Sequence, residues 1–232
     1  MKQLLLIFSI LYCQFSIAQE NGNYKTEDRN LPPFQFLKVF GNIEIELNEC
    51  LPNEEKVHIK ALELETSSVE TKVENGELRI RLLKDLFSKG RVKIILFVAD
   101  IQEVKLSAGA RIFYDEALRT DNFKIDLNSG SEARLDVICK NLILNISEGS
   151  KIHISGKAET FELAAFTKST VESFGLISRK LKVKSNTNSK VLVNCLDELE
   201  MKATMGGKII YRGSPKISVE TANTGGEITR FK

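Results

Sequence analysis

The carboxylates supply the first candidates for catalysis in this sequence. Glycosidases hold the scissile bond between two carboxyl groups, and Asp126 and Asp136 flank the turn at Gly130, where both could lie on one outer face. The chain contains 31 Asp and Glu residues, however, so pairs of this kind arise by chance. The acidic residues also form no Asp-rich loop with the spacing of a calcium site. A solvated face is therefore the more economical interpretation of this pair.

Histidine and cysteine give little support for a metal site or a nucleophile. His58 and His153 are the only histidines, and neither lies in a pattern with zinc-ligand spacing. Cys50, Cys139 and Cys195 are widely spaced, which is typical of small apolar residues in a core. Because the sequence also contains no phosphate-binding loop and no nucleophile elbow, we predict no catalytic residue, no cofactor and no metal.

Period-two alternation of apolar and polar residues dominates the chain after residue 33. Residues 43–47 and 77–82 alternate in this way, which predicts short strands. Residues 92–98 are almost wholly apolar and predict a strand that is buried on both sides. Residues 19–33 are polar and end in two prolines, so they predict a linker ahead of one all-β domain at residues 34–232.

A phrase of about 19 residues recurs through the second half of the chain. The stretch LILNISEGSKIHISG, residues 142–156, alternates on both sides of a turn. Its relatives align at seven positions, which are Gly109, Gly130, Gly149, Lys168, Asn188, Gly206 and Gly225. A fixed period in this range predicts stacked coils. Because parallel crossovers are right-handed, the predicted fold class is all-β, a right-handed parallel β-helix (solenoid) with coils of about 19 residues.

The seven aligned positions are predicted to be corners at which each coil bends. Glycine suits a bend that needs a positive φ, and Asn188 tolerates one. Lys168 suits it less well and therefore predicts a locally different bend in its coil. A small residue follows every corner, and in four successive coils it is serine. This pattern predicts that the corner is crowded.

Phe166 and Lys168 are the candidate contacts for a ligand or partner. Phe166 occupies a corner column that is otherwise filled by Ser, Asn and Thr, so we expect its ring to be exposed. Phe161 shares a column with Phe123 and is predicted to pack in the core. Since Phe166 and Lys168 depart from the repeat in the same coil, that coil is the predicted location of a binding site.

The N-terminus and the charge balance indicate an exported protein. Residues 1–18 carry one Lys, an apolar run and a small-x-small end, the pattern of a secretory signal peptide, which predicts a periplasmic, extracellular or envelope-associated location. Cys13 follows Tyr12 where a lipobox has Gly, Ala or Ser, which disfavours lipidation. The formal net charge of +2 predicts no nucleic-acid partner, and no second apolar run approaches the length of a transmembrane helix.

The repeated corners resemble those of a known bacterial family. The similar segments are Ser107-Ala108-Gly109-Ala110, Ser129-Gly130-Ser131, Glu148-Gly149-Ser150, an opening strand pair at residues 36–47 and a Y-x-G-x-P element at residues 211–215. The family is the auto-transporter adhesin head GIN domain family, DUF2807, and the resemblance covers residues 34–232. It implies a β-helix-like fold, export and adhesion, and it supplies no catalytic or binding residues.

Three functional hypotheses follow from the sequence. The leading one is an exported, non-enzymatic β-helix whose flat surface binds a polysaccharide or protein of the cell envelope or of a host. The alternative is a polysaccharide hydrolase or lyase, which would gain support if Asp126, Asp136 and a third polar group converged in a groove. The third is a structural protein that self-associates through its open helix ends, because terminal coils carry unpaired strand edges.

Overall fold

The computed structural model describes residues 24–83 and 90–231, so the predicted signal peptide at residues 1–18 lies outside the described residues. One 3-10 turn, Thr66–Ser68, interrupts an otherwise all-strand structure in these two ranges. The strands are β1 Tyr24–Asn30, β2 Phe36–Phe40, β3 Ile43–Glu49, β4 Lys56–Leu62, β5 Val69–Glu74, β6 Glu77–Leu82, β7 Arg91–Val98, β8 Glu103–Ser107, β9 Arg111–Leu127, β10 Glu132–Ile146, β11 Lys151–Ala165, β12 Thr170–Asn186, β13 Lys190–Thr204, β14 Lys208–Arg212, β15 Lys216–Ala222 and β16 Glu227–Arg230. Nowhere in the described ranges is there a helix long and apolar enough to span a membrane.

Five long strands, β9 to β13, stack in parallel and form the body of the molecule. Each strand lies one repeat from the next, so Leu142 pairs with Phe123 on one side and with Phe161 on the other. The ladders shift register between Arg134 and Asp136, which marks a second bend in the coil. The predicted parallel β-helix with coils of about 19 residues is confirmed.

Each predicted corner is a two-residue turn with positive φ at both central positions. At the second corner φ is 53° for Ser129 and 73° for Gly130. The Ser131 N–H donates to the Asn128 carbonyl at 3.3 Å and closes the turn. Positive φ at both positions is the signature of a type I′ turn, which usually joins the two strands of a hairpin. Here the Gly130 N–H donates to the Glu148 carbonyl of the next coil at 3.0 Å, so the turn is a stacked corner.

Lys168 adopts the same turn as the glycines. The φ angle is 46° at Thr167 and 59° at Lys168, and the Ser169 N–H donates to the Phe166 carbonyl at 3.3 Å. The prediction of a locally different bend in this coil is therefore wrong. The Lys168 N–H donates to the Thr187 carbonyl of the next coil at 2.9 Å. Stacking on neighbouring coils thus outweighs the cost of about 1–2 kcal/mol for a side chain in the left-handed region.

Lys168→Gly is expected to raise the free energy of unfolding by about 0.5–1 kcal/mol, because glycine removes the left-handed strain while adding some freedom to the unfolded chain. Urea-induced unfolding followed by circular dichroism measures the change. Lys151→Gly is the matched control, since Lys151 is also exposed but lies in β11. Glycine there should lower stability by about 0.5–1 kcal/mol. Equal losses at both positions would contradict the prediction.

The corners are crowded, as the small residues predict. The serines that follow four successive corners are at most 1% exposed; they are Ser131, Ser150, Ser169 and Ser189. In the next coil Gly207 takes this place, and a Cβ on it would lie 2.3 Å from the Ser185 carbonyl oxygen. The Ser189 hydroxyl donates to the Ala165 carbonyl at 3.0 Å. Only small side chains fit here, and their hydroxyls satisfy buried main-chain groups.

The N-terminal end departs from the parallel repeat. β1 pairs antiparallel with β4, and β4 pairs antiparallel with β7. Over Tyr24–Asn30 the structure therefore differs from the predicted linker. This strand is polar on both faces because neither face enters the core, so alternation could not reveal it. Its main chain pairs with β4, and the Arg29 guanidinium donates to the Val69 carbonyl at 2.7 Å.

β7 alternates between core and surface. Val92, Ile94 and Leu96 are buried, whereas Ile95 and Phe97 are half-buried. The prediction of a strand buried on both sides is therefore wrong. The Lys56 ammonium lies 4.7 Å from the centroid of the Phe97 ring, so a long neighbouring side chain partly covers the outward apolar residues.

Candidate functional site

Phe166 lines a shallow groove on the outer face formed by the strand segments that precede the corners. The groove has a volume of about 390 Å³ and crosses β2, β8, β9 and β10 to the corner after β11. Its polar and aromatic lining residues are Lys38, Lys105, Ser107, Asp126, Asn128, Asn145, Ser147 and Phe166. We call it the Phe166 groove.

Phe166 is the first residue of its corner turn, and its position is fixed by the stack. The Phe166 N–H donates to the Ile146 carbonyl of the preceding coil at 2.9 Å. Its side chain is 38% exposed, as the sequence pattern predicts. The equivalent positions of the two preceding coils are Asn128 and Ser147, which also line the groove. One aromatic ring therefore ends a row of small polar side chains.

Lys168 does not line this groove, although the sequence placed it with Phe166. It is exposed at the tip of the same turn. The lysines of the groove are Lys38 and Lys105, which pair opposite each other in β2 and β8. Lys38 lies ahead of the repeat, whereas Lys105 lies four residues before the Gly109 corner, in the outward column that continues with Asp126 and Asn145. A mixed polar column of this kind gave no signal for a site.

Hydrogen bonds and ion pairs organise the groove. Asp126 accepts a hydrogen bond from Asn145 Nδ2 at 2.8 Å and pairs with Lys124, whose Nζ lies 3.1 Å from Asp126 Oδ2. Lys105 pairs with Glu103 at 2.9 Å. Lys38 has no ion pair among the described residues. The groove thus combines amides, hydroxyls, a neutralised carboxylate, an unpaired ammonium and an exposed ring.

Asp136 does not share the groove with Asp126. Asp126 precedes the corner at Gly130 and Asp136 follows it, and both side chains point away from the core that these two segments enclose. Asp136 accepts a hydrogen bond from the Ser155 hydroxyl at 2.9 Å. The pair therefore lacks the common face that hydrolysis between two carboxyl groups requires.

The other residues with catalytic potential lie apart from one another. His58 Nδ1 lies 2.5 Å from an Asp28 carboxylate oxygen, and His153 Nδ1 lies 3.5 Å from Glu172. Burial raises the pKa of the Cys139 thiol to about 11, which leaves little of the reactive thiolate at neutral pH. In residues 24–83 and 90–231, no three His, Cys, Asp or Glu side chains are placed to hold a metal ion.

A second groove, with a volume of about 580 Å³, lies on the outer face of the segments that follow the corners. It is formed by β1, β4, β7, β3 and the start of β9. We call it the cationic groove, and its charged, hydroxyl and aromatic lining residues are Tyr24, Thr26, Glu44, Lys60, Arg91, Lys93 and Arg111. Sequence reasoning missed it because most of these residues lie outside the repeat and two belong to the strand predicted as a linker.

A family model described as "Putative auto-transporter adhesin, head GIN domain" (DUF2807) matches residues 33–215. The chain belongs to this family. The resemblance read from the repeated corners is thereby confirmed. Among curated proteins, none matches the sequence.

Crystal structures of several bacterial proteins share the architecture of this head GIN domain. A "putative adhesin" from Bacteroides fragilis is similar with a TM-score of 0.81 and 17% identity, over 90% of this chain and 97% of that one. A "putative adhesin" from Parabacteroides distasonis gives 0.73 at 19% identity, over 91% and 98%. A "Putative lipid binding protein" from the same species gives 0.67 at 15% identity, over 91% and 98%. At these identities the likeness establishes the fold alone.

Proposed function

We propose that this head GIN domain is an exported, non-enzymatic binding protein whose Phe166 groove contacts a polysaccharide of the cell envelope or of a host surface. The observation that carries the proposal is the exposed Phe166 ring beside amide, hydroxyl and lysine side chains in an open groove. Membership of an adhesin family supports a binding role. The predicted signal peptide at residues 1–18 supports export.

The side chains of the groove match the chemistry of sugars. An aromatic ring offers a flat apolar surface to the C–H face of a pyranose. Asn145 donates through Nδ2 to Asp126, which leaves its Oδ1 to accept a hydrogen bond from a sugar hydroxyl. The Lys38 ammonium, which forms no ion pair within the described part of the chain, can donate to ring or hydroxyl oxygens at the other end of the groove. Apolar contact at one end and polar contacts along the floor orient a short saccharide segment.

The openness of the groove favours adhesion over catalysis. Its floor is the outer face of paired strands, which holds the lining side chains in fixed register but does not exclude water. Catalytic sites gain most of their electrostatic advantage from enclosure. Asp126 is already committed to Lys124 and Asn145. The neighbouring Glu103 carboxylate is held by Lys124 at 2.7 Å and by Lys105 at 2.9 Å, so both carboxylates are committed to ion pairs.

Phe166→Ala is expected to weaken polysaccharide binding about tenfold, since it removes the stacking surface while leaving the polar floor in place. The mature chain, residues 19–232, would be passed over immobilised bacterial and host polysaccharides without added metal. Saturable retention gives the affinity, and an assay for new reducing ends on the same polysaccharides tests for hydrolysis.

Leu196→Ala is the matched control, because Leu196 is a 51% exposed apolar residue away from the groove. Its replacement should leave retention unchanged. Retention on a neutral polysaccharide that survives Phe166→Ala, or that falls equally in both variants, would contradict the assignment of the groove. Absence of retention across the panel would contradict polysaccharide binding, and release of reducing ends would contradict the non-enzymatic role.

A further inference from the structure

The cationic groove is the larger of the two grooves, and the function proposed for the Phe166 groove gives it no role. We propose that it binds an acidic polysaccharide through the carboxylate or sulfate groups on its sugars. The groove lies on the other outer face of the coil, so the inference goes beyond the proposed function and can hold or fail independently of it. The residues that carry it are Lys60, Arg91, Lys93 and Arg111, with Tyr24 and Thr26 on the edge strand.

Strand pairing places one groove residue from each of five strands in a row, and Arg91 lies beside that row, two residues before Lys93 on the same face of β7. Thr26 pairs with Lys60, Lys60 with Lys93, Lys93 with Glu44, and Glu44 with Arg111. Paired residues on neighbouring strands point to the same side of a sheet. Because neighbouring strands lie about 4.8 Å apart, the row from Thr26 to Arg111 spans roughly 19 Å. That length accommodates several sugar units of an extended chain.

The cations of the groove are only partly compensated within the protein, and Glu44 is shared between Arg111 and Lys93, which lies 4.0 Å away. Four cations face the groove against one lining carboxylate, Glu44. Arg111 lies 3.7 Å from Glu44, and Lys93 is held mainly by Glu46 at 2.9 Å. Over the part of the chain that the structure describes, neither Lys60 nor Arg91 forms an ion pair. These two side chains are therefore available to an external anion.

The arrangement is unfavourable for stability alone. Lys60 and Lys93 stand directly opposite each other on adjacent strands, and like charges in that position repel. The hydrogen bond from Lys93 to Glu46 raises the pKa of Lys93, so its ammonium stays charged at neutral pH. The Arg111 Nε is buried without a hydrogen-bond partner in the described part of the chain. An anion between these groups would relieve the repulsion.

The surroundings of the groove favour a polysaccharide over nucleic acid or lipid. Beyond Arg111 the row continues with Glu132, Lys151 and Thr170, whose charges do not form the long basic track that a nucleic-acid backbone requires. Val92 is the one aliphatic residue of the lining, so the groove offers little apolar surface to an acyl chain. The exposed ring of Tyr24 offers a flat surface of the kind that a sugar ring can contact.

The test measures binding of the mature chain to polygalacturonate, which carries carboxylates, and to chondroitin sulfate, which also carries sulfates. Dextran serves as the neutral polymer, and vesicles containing phosphatidylglycerol serve as the anionic lipid surface. We expect at least one acidic polysaccharide to bind, with an affinity that falls as the salt concentration rises. The double variant Lys60→Gln/Arg91→Gln should weaken that binding about a hundredfold, about tenfold for each charged contact.

The matched control is Lys151→Gln/Lys190→Gln, which removes the same two charges from the same outer face outside the groove. It should change the affinity by less than about twofold, since diffuse charge is screened by salt. Leu196→Ala, which removes an exposed apolar side chain outside both grooves, should leave binding of the acidic polymer unchanged. The inference is overturned if neither acidic polymer binds, if the control weakens binding as much, or if Lys60 and Arg91 serve vesicle binding instead.

Discussion

Phe161→Ala is expected to lower the free energy of unfolding by about 3–5 kcal/mol, the range for removing a fully buried aromatic side chain. Phe161 is 2% exposed, and it lies between Leu142 and Leu181 of the neighbouring coils. Ladder hydrogen bonds hold the coils at a fixed separation, so they cannot close around the cavity. In a solenoid each coil is stabilised by its two neighbours, and the cavity weakens both interfaces. Urea-induced unfolding followed by far-UV circular dichroism measures the loss.

Phe166→Ala is the matched control, because Phe166 lies at the next corner of the same coil and is 38% exposed. Its replacement should change stability by less than about 0.5 kcal/mol, as is usual for surface substitutions. The two variants therefore distinguish a residue that stabilises the fold from a nearby residue that is proposed to contact the ligand. A loss below about 1 kcal/mol for Phe161→Ala would mean that the inward column is not tightly packed.

The coil architecture could be predicted because stacking converts a sequence period directly into contacts. Residues one repeat apart, such as Leu142 and Phe161, become paired neighbours, so an apolar column in the alignment is an apolar ladder in space. The corners followed from the same alignment, since glycine and asparagine mark positions with positive φ. The exposed position of Phe166 followed from its difference from the polar residues in its column.

The structural features that could not be predicted from the sequence lack such a periodic signal. β1 is polar on both faces, so only its pairing with β4 identifies it as a strand. Lys168 shows that hydrogen bonds from the flanking coils can impose a turn that its own side chain disfavours. The cationic groove joins side chains as distant in sequence as Thr26 and Arg111, and no local pattern predicts that they meet. The cationic groove therefore depends on the less regular N-terminal strands, whereas the Phe166 groove takes only Lys38 from them.

Gly156→Ala is expected to lower the free energy of unfolding by about 2–6 kcal/mol, because the added methyl group meets the main chain of the preceding coil. A Cβ at this position would lie 2.0 Å from the Val137 carbonyl oxygen and 2.8 Å from an Asp136 carboxylate oxygen. The φ angle of +112° adds strain of about 1–3 kcal/mol for any side chain. Forcing the coils apart costs about 1–3 kcal/mol more. Urea-induced unfolding of the variant provides the measurement.

Gly149→Ala separates these two causes, because Gly149 has a φ of +74° and no atom within 4 Å of its added Cβ. Its free energy of unfolding should fall by only about 1–2 kcal/mol, which is the cost of a side chain in the left-handed region. A similar loss in both variants would mean that the coils separate locally at the second bend without cost. The outer face that carries Asn145 and Phe166 belongs to these same coils, so such freedom would also argue against a groove floor rigid enough to orient a ligand.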